Sequence, residues 1–216
     1  MAVKLVWVTP NAEQLVSDMA RVSNPANQGM PPGKLLAYCI RNQHWSIFEM
    51  VSACVEIETT RDIARQILRH RSFSFQEFSQ RYAAVDVLPA APLREARLQD
   101  TKNRQNSIEV DDPELERRWH NVQSEVGQVA DAAYRWALEQ GIAKEVARSV
   151  LPEGLTTSRM YMAGTLRSWI HYCSLRCSNG TQKEHAVIAQ AISDILHSEF
   201  PLVWAELLAA GNDGES

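Results

Sequence analysis

The sequence is poor in the features that mark most metal and cofactor sites. Its 216 residues hold four cysteines, Cys39, Cys54, Cys173 and Cys177, and no two of them form a Cys-x-x-Cys pair. Cys173 and Cys177 stand one helical turn apart, a poor spacing for a zinc knuckle. Reduced packing thiols are expected, with neither metal nor disulfide. There is no P-loop and no Gly-x-Gly-x-x-Gly, so a flavin or nicotinamide bound here would not use a Rossmann turn. No apolar run approaches the length of a membrane span. The start "MAVKLVWVTP" meets Pro10 too soon to serve as a secretory leader. The chain therefore reads as cytoplasmic, with no membrane partner. Basic charge is also lacking. Lys and Arg number 22 against 26 Asp and Glu, a net charge of −4. A nucleic-acid coat usually reads as a basic domain, so no nucleic-acid partner is expected.

What is present suits one domain spanning 1–216 that buries its own core. "VKLVWV" reads as a strand, and "NAEQLVSDMARVS" as a helix with Asn11 at its N-cap. A Pro- and Gly-rich loop leads to a helix at "LLAYCIRNQ". "FEMVSACVEIETT" alternates and is β-branched, as a strand should be. Thr60 then caps a helix over "RDIARQILRH", with Asp62 in its first turn. "SFSFQEFSQRY" is expected as a loop or short turns, and "AAVDVLPAAP" as extended chain. Residues 91–112 are polar and read as an exposed excursion. Asp112, Pro113 and Gly141 bracket a long amphipathic helix. A short helix broken at Pro152, an extended β-prone stretch at "EGLTTSRMYMAG" and a helix at "TLRSWIHYCSLRC" follow. Two further helices meet at Pro201. Residues 211–216 read as a loose tail. The fold class is α+β: helix-rich, with a small, mostly antiparallel sheet.

One stretch departs from the acidic average. Between Arg61 and Tyr82 stand Arg61, Arg65, Arg69, Arg71 and Arg81, against only Asp62 and Glu77. Arg61, Arg65 and Arg69 fall on one helical face. For Arg61 and Arg65 the ordinary reading is a solvated charged surface. Arg69, His70 and Arg71 are adjacent, so they leave the helix end in different directions. Two guanidinium forks beside an imidazole suit phosphate or carboxylate ligands. By spacing alone this is an anion or nucleotide site. A hydrolase built on His70 with Ser74 or Ser79 competes with it, although neither serine sits in a glycine-bounded elbow. A basic helix-end module that binds nucleic acid is the non-enzymatic alternative.

The stretch "RHRSFSFQEFSQRY" resembles the signature of the flavin-dependent thymidylate synthases. Arg69, His70, Arg71, Ser74, Ser79, Arg81 and Tyr82 all match it. Gln76 stands where Asn is common; it keeps the amide and lengthens the reach. "ARVS" at 20–23, "HWSIFE" at 44–49, "ARQILRHR" at 64–71, "ARSVLP" at 147–152, "LRSWIHYCSLR" at 166–176 and "QKE" at 182–184 resemble further family blocks in order. Residues 91–112 align poorly, as a variable insertion would.

The resemblance implies synthesis of deoxythymidylate (dTMP) from deoxyuridylate (dUMP). Methylenetetrahydrofolate would supply the carbon, and FAD reduced by NADPH the hydride. It implies a homotetramer with active sites shared between subunits. Carried over by position, Gln66, Arg69, Glu77, Ser79, Gln80, Arg81, Arg148 and Arg176 would contact dUMP, with Arg148 reaching its phosphate from a neighbouring subunit. Arg176 would be catalytic, facing the uracil edge and stabilising charge that develops there. Ser79 would bind the nucleotide rather than attack it. Ser23, Ser46, Glu49, Arg69, His70, Arg71, Glu77, Arg167 and His171 would contact FAD; His171 stands where Asn is common. His44 would border the flavin and folate face. His120, His185 and His197 lie outside the blocks and are expected at the surface or in packing.

Overall fold

The structure, a computed structural model, describes residues 1–178 and 180–212. The chain runs β1 (Ala2–Val8), α1 (Ala12–Ala20), α2 (Gly33–Arg41), β2 (Ser52–Thr60), α3 (Arg61–Ile67) and β3 (Ser74–Glu77). It continues through β4 (Arg97–Gln99), β5 (Ser107–Glu109), α4 (Pro113–Glu139), α5 (Lys144–Ala147), β6 (Thr157–Thr165), α6 (Leu166–Arg176), α7 (Lys183–Glu199) and α8 (Pro201–Asn212). Short 3-10 turns include Trp45–Glu49, Val85–Val87 and Arg148–Val150. No described helix is long and apolar enough to cross a membrane.

Four strands form an antiparallel sheet in the order β1-β2-β6-β3. The α+β expectation of a small antiparallel sheet among helices holds. The sheet's two faces differ because side chains alternate along each strand. Ala53, Val55 and Ile57 of β2 and Met160 and Met162 of β6 are fully buried. They pack into one core with Ile63, Ile67, Trp169, Ile188, Ile192 and Leu196 from the helices. Each Val, Ile, Leu and Met side chain among them contributes about 1.5–3 kcal/mol by leaving water. On the other face, Glu56 accepts from Tyr161 at 2.8 Å and Glu58 pairs with Arg159 at 2.9 Å, both directly across the strands. That face stays polar.

The ends of α4 follow from local chemistry. The Asp112 carboxylate accepts from the amides of Glu114 and Leu115, and Pro113 fills the first helical position. At the other end Gly141 takes φ 75°. Its amide bonds Leu138 O, and that of Ile142 bonds Ala137 O, so the last carbonyls are satisfied.

Several expectations need correction. The expected loop or short turns at 72–82 contain β3, whose Phe75 is half-buried between exposed Ser74 and Gln76. β2 begins at Ser52, because Phe48 and Glu49 belong to the preceding 3-10 turn. Val85–Val87 is a 3-10 turn rather than extended chain. The polar stretch inside 91–112 folds into the β4–β5 hairpin. Asn11 and Thr60 stand at their N-cap positions without capping bonds to the backbone; the Thr60 hydroxyl bonds Asp62 Oδ1 instead. Of the tail expected at 211–216, Gly211 and Asn212 belong to α8, and the rest lies outside the described residues.

Candidate active site

Helix α3 ends at Ile67, so Arg69 has left the helical face that carries Arg61 and Arg65. The chain then bends through bonds from Arg69 N to Gln66 O and from His70 N to Ile67 O. Two anchors hold this arch. One is the buried Ile63, Ala64 and Ile67. The other is Phe73, edge-on to Trp169 with ring centroids 4.6 Å apart. Gly164 of β6 makes room for that ring. A Cβ there would meet Phe73 Cδ1 at 2.4 Å. Between the anchors Arg69 and Arg71 are exposed, while His70 is half-buried.

His70 lies edge-on to Tyr172 at 4.9 Å, and its Nε2 accepts from Arg176 Nε at 2.9 Å. A guanidinium only donates, so His70 must be neutral with its proton on Nδ1. Burial and the charge of Arg176 both push its pKa below the ordinary value. Behind it sits His185, fully buried. Its Nε2 lies 3.0 Å from the Tyr172 hydroxyl and its Nδ1 3.4 Å from Gln66 Oε1. Gln66 in turn donates to Gln182 Oε1 at 2.6 Å. Burial, then Arg176 and His70, lower the His185 pKa to about 4. Tyr172 is buried too, which raises its phenol well above the usual range.

Further along α6, Arg167 pairs with Glu49 at 2.6 Å. His171, one turn on, packs edge-on to Trp45 at 5.0 Å. Burial and Arg167 lower the His171 pKa, opposed by Glu49. Ser168 Oγ donates to Ser72 O, tying α6 to the arch. Ser46 lines an open hollow of about 530 Å³ with Val22, the neighbour of exposed Ser23. His44 precedes the 3-10 turn and packs edge-on to Tyr38 at 5.6 Å.

The remaining predicted residues gather at the other end of β3. Glu77 faces inward, accepting from Ser158 Oγ at 2.7 Å and pairing with Arg61 at 3.5 Å. Arg61 is thus mostly buried rather than on a solvated face, whereas Arg65 is exposed and paired with Glu153. Ser79 is exposed. Gln80 is buried with no partner for its side-chain nitrogen. Arg81 pairs with Glu145 at 3.0 Å, and Lys144 donates to Tyr82 O, so α5 docks on the end of its own chain's signature. Arg148 follows on that segment, its Nε on Glu145 O. The four residues of β3 advance the chain by roughly 13 Å. No direct hydrogen bond or ion pair joins the two groups among the described residues.

Charge separates the arginines into two sets. Arg61, Arg65, Arg81 and Arg167 each have a glutamate partner. Among the described residues Arg69, Arg71, Arg148 and Arg176 have no carboxylate partner, and no serine hydroxyl bonds His70. Nor do three or more His, Cys, Asp or Glu side chains there form a metal-binding group.

The sequence profile described as thymidylate synthase complementing protein matches residues 4–202. The chain belongs to this family. It is 48% identical to a probable flavin-dependent thymidylate synthase of Paramecium bursaria Chlorella virus 1, over 94% of this chain and 97% of that one. It is 52% identical to the flavin-dependent thymidylate synthase of Synechocystis sp., over 90% of this chain and 89% of the relative. Among solved structures, the UMP/dUMP methylase PolB from Streptomyces cacaoi bound with 5-Br dUMP superposes with a TM-score of 0.83. That match has 27% identity and covers 96% of this chain and 94% of PolB. The stretch that resembles the family signature spans the arch and β3. Sequence reasoning gave His185 no place beside the signature, nor Tyr172 and Gln182 any individual role. "QKE" pointed to Gln182 as part of a block; nothing local marked His185, whose partners are 13 and 119 residues away.

Proposed function

We propose that this protein is a flavin-dependent thymidylate synthase, converting dUMP to dTMP with methylenetetrahydrofolate as carbon donor and NADPH as reductant. The observation that carries the reading is the set of guanidiniums without carboxylate partners, Arg69, Arg71, Arg148 and Arg176, on the family signature and its blocks. Bare guanidinium forks suit the phosphates of dUMP, FAD and NADPH and the carboxylates of folate.

The donors on the arch fit a flavin pyrophosphate: Arg69 and Arg71 are exposed, cationic and unneutralised. Ser23, Ser46, Glu49, Arg167, His171 and His44 would complete the flavin and folate side. Bound FAD supplies the hydride. For dUMP, the buried and unpartnered Gln80 nitrogen is a donor awaiting an acceptor. Ser79 would add a hydroxyl and Arg148 a phosphate contact. Neutral His70 takes the Nε–H of Arg176 and so fixes its plane. The Nη1 and Nη2 groups remain to donate to the uracil edge. There they would stabilise negative charge at N3 and O2, polarising the ring so that C5 attacks the incoming carbon. Since Arg176 occupies His70 Nε2, that nitrogen is not available to activate a serine, which weakens the hydrolase alternative.

The reading includes a homotetramer with shared sites, in the cytoplasm. Helix α4 presents Trp119, Val122, Val126, Val129 and Trp136, all exposed, at alternating three- and four-residue intervals interrupted only by Ala133. Such a seam suits a helix of a second copy. Two ligand-binding groups set apart by β3 within one chain also favour surfaces contributed by a neighbour, with Arg148 reaching its nucleotide. The test is an anaerobic assay of flavin-loaded protein with dUMP, methylenetetrahydrofolate and NADPH, scoring dTMP. Product supports the reading. Protein that takes up no flavin, or that holds flavin and makes no dTMP, overturns it.

A further inference from the structure

The Tyr172–His185–Gln66–Gln182 series does not stop at Gln182. Gln182 Nε2 donates to Glu184 Oε2 at 2.8 Å, and Arg97 of β4 holds the other carboxylate oxygen at 2.5 Å. Arg97 and Glu184 are each about one-tenth exposed. The β4–β5 hairpin is fastened around them. Lys183 bonds Glu95 at 2.7 Å and Glu109 at 2.5 Å, and Arg94 pairs with Asp62 at 2.7 Å.

We propose that Glu184 is a positioning residue whose carboxylate, held by the hairpin residue Arg97, sets the direction of both glutamine amides and the tautomer of His185. The consequence for dUMP rests on the reading above, in which Gln66 touches the nucleotide.

An ionised carboxylate accepts and never donates. Gln182 must therefore turn its NH2 to Glu184 and its carbonyl to Gln66. Gln66 must then turn its NH2 to Gln182 and its carbonyl to His185. His185 must carry its proton on Nδ1, which leaves Nε2 to accept from the Tyr172 hydroxyl. One acceptor-only group thus orders four side chains, the last of which packs against His70. Burial would raise the Glu184 carboxyl, but the bond from Gln182 and the nearby Arg94 and Arg97 keep it below the ordinary range. Gln66 is left with one N–H in a fixed direction for a ligand. The 91–112 segment supplies the cation that holds the end of the series.

Glu184→Gln keeps the shape and reverses the direction, because donor-only Arg97 takes the amide's carbonyl and leaves its NH2 to face Gln182. Gln182→Glu/Glu184→Gln moves the acceptor-only group one place and restores the direction of Gln66. Two readouts decide. In protein labelled with ¹⁵N-histidine, His185 should be Nδ1-protonated in wild type, shifted to Nε2-protonated in the single variant and Nδ1-protonated again in the double. The KM for dUMP should rise on the order of tenfold in the single variant, with kcat changed by about twofold or less, and recover in the double. A single variant with wild-type tautomer and KM overturns the proposal. So does a loss of activity with the tautomer unchanged, which would mark a merely structural role. If wild type makes no dTMP, the synthase reading fails, and the ¹⁵N pattern alone still decides whether Glu184 sets the direction.

Discussion

His185 offers a measurement whose size follows from its surroundings. It is fully buried, held between Tyr172 and Gln66, and its pKa lies at about 4. In the unfolded chain a histidine titrates near 6.5. At pH 7.5 both states hold it neutral. As the pH falls through 6.5, the unfolded chain takes up a proton that the folded protein refuses. The unfolded state binds more protons, so stability must drop as the pH falls. With these two values the loss between pH 7.5 and pH 5 is about 2 kcal/mol, and it approaches about 3 kcal/mol below pH 4. The assay is urea unfolding followed by tryptophan fluorescence at both pH values, at one protein concentration. His185→Gln cannot titrate there. It will be less stable at pH 7.5, but it should lose about 2 kcal/mol less than wild type on going to pH 5. His70 also has a lowered pKa and remains in both proteins, so it cancels in the comparison. Equal losses in the two proteins would mean that His185 is not the group whose protonation drives the change.

Other substitutions separate the proposed roles. Arg176→Ala should lower dTMP formation about 10²- to 10³-fold while flavin absorbance stays with the protein; near-normal turnover would remove Arg176 from the chemistry. Ser79→Ala should weaken dUMP binding and still give product, whereas no product with flavin and nucleotide both bound would restore a nucleophilic serine. Gly164→Ala should destabilise the fold by about 1–3 kcal/mol, read as a lower urea midpoint, because Phe73 has rings on its other sides and no room to retreat. Val126→Asp/Val129→Asp should reduce the assembled mass in light scattering; a wild type that is already monomeric would end the shared-site proposal.

The elements that could be read from sequence are those fixed by neighbours in the chain. Asp112, Pro113 and Gly141 act within one turn of α4, so its limits were legible. β3 was missed although its period of two was present in Phe73 and Phe75. The surrounding charge and hydroxyls suggested a loop, and only pairing with β6 makes the segment a strand. The hairpin was missed because its polar residues are bound by ion pairs to α3 and α7 rather than by apolar burial. The signature arginines stood out as a candidate anion site because their excess is local. Which of them stay unneutralised was not, since Glu49, Glu145 and Glu153 come from distant segments.

The strand order has a consequence for how the protein comes into being. β2 pairs with β6 across some hundred residues, joining Glu56 to Tyr161, and β3 touches the sheet only through β6. A chain emerging from the ribosome completes the RHR arch long before its support exists. Until β6 and α6 have appeared, Phe75 lacks its cross-strand partner Met162, Phe73 lacks the rings of Trp169 and Tyr172, and Arg176 has yet to be made. The proposed ligand-binding surface is then a late product of synthesis, formed when the sheet closes around its last central strand. Such high contact order implies slow refolding in vitro. It also implies that ligands which need the finished arch can act on the completed fold but cannot guide the early chain towards it.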